Sequence, residues 1–136
     1  MKKMIFLLVL SFGTGFVVSA QKTPPSAVLT AFKQKFSNVK GLQWGQEKSG
    51  EWEAGFNLNG VATSANFSTT GNWLETETEI KIADLPTPVR AALKGKKVKG
   101  VARVLLPNEA IVYEAQVGHK ELTFDSDGKT LPKANK

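Results

Sequence analysis

Asn59-Gly60 lies between two runs in which apolar and polar residues alternate, and it constrains the fold more than any other dipeptide in the chain. A type I′ turn needs positive φ at both central residues, which Asn and Gly tolerate. Once that loop is set, Leu58 faces Val61, Phe56 faces Thr63, Ala54 faces Ala65 and Trp52 faces Phe67. These pairs share one face of a hairpin, and Glu53, Asn57, Ser64 and Asn66 share the other.

A shorter version returns at Tyr113 to Phe124, around Gly118-His119. It is shorter by two residues in each strand, so Tyr113 still faces Phe124 and Ala115 faces Leu122. Other segments match in the same order. Pro25-Ser26-Ala27-Val28 parallels Pro86-Thr87-Pro88-Val89, and Val39-Lys40-Gly41-Leu42 parallels Val98-Lys99-Gly100-Val101. Trp52-Glu53-Ala54 parallels Tyr113-Glu114-Ala115, and Phe67 to Gly71 parallels Phe124 to Gly128. The chain therefore reads as an internal repeat.

Each copy begins with a helix. From Ser26 to Phe36, Val28, Leu29, Phe32 and Phe36 make one apolar stripe, with Lys33, Gln34 and Lys35 on the wet side. Asp84 to Pro88 is a second helix start, with Asp84 or Thr87 as N-cap, Val89, Ala92 and Leu93 as the buried stripe and Gly95 at the end. Strands are expected at Val39–Lys48, carrying Leu42 and Trp44, at the two hairpins, and at Val98–Leu106. Trp73 to Ile82 alternates strictly. Leu74, Thr76, Thr78, Ile80 and Ile82 fall on one side, and Trp73, Glu75, Glu77 and Glu79 on the other. A short last strand is expected near Lys129–Leu131, with a frayed tail to Lys136.

Residues 1–20 read as a cleaved signal peptide. Lys2 and Lys3 precede an apolar stretch, and Val18-Ser19-Ala20 offers small residues for cleavage after Ala20. The expected location is periplasmic or secreted, with no stable membrane insertion after cleavage. The chain from Gln21 onward suits one compact unit of two parts, residues 21–83 and 84–136. With no cysteine, stability must come from burial alone. Removing Lys2 and Lys3 lowers the net charge from +6 to +4, which still allows acidic partners or anionic surfaces, while nucleic acid is not expected as a partner of an exported chain.

The Pro-x-x-Val-x-x-Ala-Phe pattern at Pro25 to Phe32, Trp44, the Trp52-Glu53 hairpin, Phe67 to Gly71 before Trp73, and Asp84-Leu85-Pro86 together resemble an exported PepSY-like family described as β-lactamase-inhibitor-like. The resemblance covers about Pro25 to Leu131. It implies an α+β fold of two tandem α-β4 repeats, an antiparallel sheet with helices on one face, and an open face that docks a protein. The inhibitor itself is stapled by disulfides that this chain lacks, so no inhibitory residues are carried over.

Catalysis finds little support in the residues. There is no Cys, and the single His119 falls at a turn tip, which leaves neither a triad nor a zinc ligand set. Asp125-Ser126-Asp127-Gly128 resembles the start of a calcium loop but has Lys136 at the twelfth position, so it reads as a β-turn. Lys94, Lys96, Lys97 and Lys99 complement a helix C-terminus. The expectation is a non-enzymatic module without cofactor or metal, binding an envelope or secreted protein. Trp73 would be its anchor on the open face, with Glu75, Glu77, Glu53 and Asn66 around it. The alternative is a small-molecule or cation-binding envelope protein using the acidic strand.

Overall fold

A computed structural model describes residues 22–132; the expected signal peptide and the last residues of the tail lie outside them. The elements run α1 (Ser26–Lys35), β1 (Lys40–Gln46), β2 (Trp52–Leu58), β3 (Val61–Phe67), β4 (Trp73–Ile80), a 3₁₀ turn (Ile82–Asp84), α2 (Thr87–Leu93), β5 (Val98–Leu105), β6 (Ile111–Val117), β7 (Lys120–Phe124) and β8 (Thr130–Leu131). The strands form one antiparallel sheet of eight, in chain order from β1 to β8. Each strand thus pairs with its sequence neighbour, and the passage from β4 to β5 carries α2 onto the sheet.

The hairpin register is the one the turn residues dictate. Leu58 pairs with Val61, Phe56 with Thr63, Ala54 with Ala65 and Trp52 with Phe67. Asn59 and Gly60 both have positive φ, 53° and 86°, and the Asn57 side chain accepts the Gly60 N–H at 2.8 Å. In the second hairpin Tyr113 pairs with Phe124 and Ala115 with Leu122.

Both helices lie on the same side as these aromatic rows, and the buried side chains gather in two clusters. Under α1, Val28 and Phe32 pack with Trp52, Ala54, Phe56, Ala65 and Phe67. The Phe32 ring lies 5.2–5.3 Å from the rings of Phe36, Trp44 and Phe56, mostly edge to face. Under α2, Leu85, Val89 and Leu93 pack with Val101, Ala115 and Phe124. The turns after β3 and β7 meet the helices alike. A Cβ on Gly71 would lie 2.7 Å from the Ala27 carbonyl oxygen, and one on Gly128 would lie 2.5 Å from that of Pro88. Both glycines also have positive φ, so each position excludes a side chain on two counts.

Three local expectations change. Neither Asp84 nor Thr87 caps α2: the N-cap is Pro86, and the Asp84 carboxylate instead accepts the Lys81 N–H of the 3₁₀ turn. Ile82 belongs to that turn rather than to β4 and is 48% exposed. A bulge between Lys40 and Gln43, with Gly41 at φ 65°, leaves Leu42 outside the core while Trp44 still packs on the α1 cluster.

The fourth change matters most for function. Phe67 pairs with Trp73, yet Asn66 pairs with Glu75, so Leu74 is an extra residue in β4. A bulge of this kind resets the side-chain alternation. It turns Trp73 away from the glutamates and onto the helix side, where it packs against the α1 cluster. Its Nε1 donates to Thr76 Oγ1 at 3.0 Å, and Lys35 Nζ of α1 sits 3.5 Å from the ring centre. Trp73 is not an anchor on the open face.

Candidate functional site

The face away from the helices has no element laid over it among the described residues, and the register fixes what it shows. From β2 come Glu53, Gly55 and Asn57, and from β3 Ala62, Ser64 and Asn66. From β4 come Glu75, Glu77 and Glu79. From β5 come Ala102 and Val104, and from β6 Val112, Glu114 and Gln116. From β7 come Glu121 and Thr123.

Glu53, Asn66 and Glu75 form a continuous cross-strand row, and Glu77 sits one step along between Ser64 and Val104. The structure therefore brings four of the five expected residues together and leaves Trp73 out. It adds Glu114 and Glu121, which line a small pocket with Glu77, Gly100, Ala102, Ala115 and Gln116. Glu114 was readable in advance as the internal counterpart of Glu53, and Glu121 holds the place in β7 that Ser64 holds in β3.

The floor between these carboxylates is apolar. Ala102 and Val104 are 3% and 1% exposed although no helix covers them. That burial has an electrostatic consequence. Desolvation, reinforced by Glu114, Glu75, Glu53 and Glu121, pushes Glu77 up to about 9. Burial and the neighbouring Glu47 push Glu53 up to about 7, although the Ser64 hydroxyl, donating to it, works the other way. At neutral pH Glu77 is a protonated acid at the centre of an acidic surface.

The arrangement can pair with cations and donate hydrogen bonds. His119 is exposed at the β6–β7 turn. Among the described residues no group of three or more His, Cys, Asp or Glu is placed to hold a metal ion, and no helix is long and apolar enough to cross a membrane.

Solved structures share this architecture. A Bacteroides eggerthii protein described as a "putative periplasmic" protein superposes with a TM-score of 0.72 at 24% identity, over 82% of this chain and 88% of its own. A DUF2874 family protein of Bacteroides ovatus gives 0.71 at 25%, over 82% and 86%. A BLIP-like protein of Bacteroides fragilis gives 0.66 at 26%, over 83% and 86%. No curated protein matches. The model of one family, "Putative beta-lactamase-inhibitor-like, PepSY-like", matches residues 50–131, the larger part of the chain, and the chain belongs to that family.

Proposed function

We propose that this protein is an exported, non-enzymatic binding module that docks another protein on the bare face of its sheet. In this reading residues 1–20 are a signal peptide cleaved after Ala20, and residues 21–83 and 84–136 are two α-β4 repeats. The matching contacts of Gly71 with Ala27 and of Gly128 with Pro88 support the repeat. Similarity to a protein described as periplasmic supports export.

The observation that carries the docking reading is the inequality of the two faces. α1 and α2 each pack a buried cluster on one side, while the other side presents Glu53, Asn66, Glu75 and Glu77 around an apolar floor. A sheet face of polar and acidic side chains with no helix or strand laid over it leaves a surface open to a partner.

Affinity capture from an envelope extract tests it, with residues 21–136 as bait. A partner held by wild type and by Trp73→Ala but lost with Asn66→Arg or Glu77→Lys is expected. A partner lost with Trp73→Ala and retained by both open-face variants would move the interface to the helix side. The pocket beside Glu77, Glu114 and Glu121 favours one rival, a small cation or cationic ligand. Calorimetry with calcium and with polyamines separates the two.

A further inference from the structure

Resting on the docking reading above, we infer that the bare face takes a lysine- or arginine-bearing segment of a partner protein, selected by the carboxylates of Glu53, Glu75, Glu77, Glu114 and Glu121.

The charge of this face departs from that of the chain. The protein carries a net +6, yet between β2 and β7 the paired positions of the bare face hold no Lys or Arg. The cations lie elsewhere. Lys33 and Lys35 are on the exposed side of α1, Lys94, Lys96 and Lys97 follow α2, and Arg103 and Lys120 share the helix-side register with Tyr113 and Val117. Lys40, opposite Asn57, stands at one corner of the bare face, and Lys99 stands in the bulge at the start of β5. A sheet that sorts its charges this way repels anions from its open side and attracts cations to it.

The size of the surface points to a polypeptide. From β2 to β7 the face crosses five interstrand gaps of about 4.8 Å, roughly 24 Å in all. An extended segment of about seven residues spans that width.

The acids are also prepared for such a guest. Glu77 keeps its proton at neutral pH because of its burial and its neighbours. The groups facing it are Glu53 from β2, Ser64 from β3, Glu75 and Glu79 along β4, Val104 from β5, Glu114 from β6 and Glu121 from β7, with no cation among them. An arriving ammonium or guanidinium favours the carboxylate, so the proton leaves to solvent as the pair forms. Docking is therefore linked to proton release. Each proton released strengthens binding by up to about tenfold per pH unit below the raised value.

The test titrates hexalysine and hexaglutamate, with spermine as the small-cation arm, onto residues 21–136 at pH 6, 7, 8 and 9, with NMR mapping of the perturbed amides. The expected result is hexalysine binding on β2, β4 and β6 that tightens several-fold from pH 6 to pH 8 and weakens with salt. Glu77→Gln should reduce the pH dependence, leaving that of Glu53, and Glu77→Gln with Glu114→Gln should weaken binding at pH 8 at least tenfold. Hexaglutamate should not bind. Hexalysine that fails to bind, or that binds elsewhere, overturns the inference. If envelope capture still depends on Asn66 or Glu77 in that case, the docking reading survives and only the charge class is wrong. Spermine binding as tightly as hexalysine overturns it in favour of a small ligand. Self-association lost in the double variant overturns it in favour of a second copy.

Discussion

The two faces of this sheet are built on opposite physical terms. On the helix side, aromatic and aliphatic rows meet α1 and α2, and burial is stabilising because nothing charged is buried with it. On the bare side, Ala102 and Val104 are as dry as core residues, and burial there extends to the carboxyl group of Glu77. The same loss of water that holds one face together raises the free energy of ionised carboxylates on the other. A sheet needing only one covered face for stability is free to use the other for recognition.

The comparison breaks first at Phe32. Its ring bridges α1 to Phe56 of β2, Trp44 of β1 and Phe67 of β3, so it ties the helix to three strands. Phe32→Ala is expected to cost about 3–5 kcal/mol in denaturant unfolding, as large-to-small changes of buried aromatics do. If the helix side were incidental to stability, the loss would be near zero.

The bare face should respond to pH instead. Folded Glu77 and Glu53 hold protons to about 9 and about 7, whereas the unfolded chain releases them near 4.5. Between these values the folded state binds more protons, so stability falls as pH rises. The fall begins near 4.5, the Glu53 contribution is complete near 7, and that of Glu77 continues to about 9. Glu77→Gln should therefore be clearly more stable than wild type at pH 9 and little different from it below pH 5. Thermal melts at both pH values decide it, and equal effects at the two would mean that Glu77 is ionised in the folded protein.

How far the sequence foretold these faces depends on the device that sets each strand. Turn chemistry at Asn59-Gly60 and Gly118-His119 fixed the hairpin registers, since positive φ in a two-residue loop leaves one pairing. The charge row Glu75, Glu77, Glu79 was legible from alternation alone. The bulge at Leu74 was not, because alternation assumes an uninterrupted ladder. In the structure Ser68 N–H bonds the Asn72 carbonyl across a turn whose Gly71 has φ 89°, which puts Trp73 opposite Phe67. The acidic alternation puts Glu75 opposite Asn66. Both hold only with one residue inserted between them. The raised value of Glu77 could not be read at all, because it needs burial and the charges of Glu114 on β6 and Glu121 on β7, far along the chain.

Glycine substitutions sharpen the contrast within the helix side itself. Gly71→Ala and Gly128→Ala each force a positive φ and press a methyl group against a helix carbonyl, so each should cost about 1–3 kcal/mol. Gly60→Ala also meets positive φ, but nothing lies within 4 Å of its Cβ, and it should cost less than either. Equal losses at all three, measured by chemical denaturation, would mean that φ alone matters and that contact between turn and helix contributes nothing.

The smallest effect tests where Trp73 belongs. Lys35 reaches over its ring from the last turn of α1, a cation–π contact at an exposed position and therefore worth about 0.5–1 kcal/mol. Lys35→Gln should lower stability by that amount and no more. In Trp73→Ala the same substitution should have almost no further effect, since the ring it acts on is gone. Such a double-mutant cycle places Trp73 with the helix in solution. If instead Lys35→Gln is silent in both backgrounds while Trp73→Ala alters binding at the carboxylates, the bulge at Leu74 is not formed and the indole lies among the glutamates.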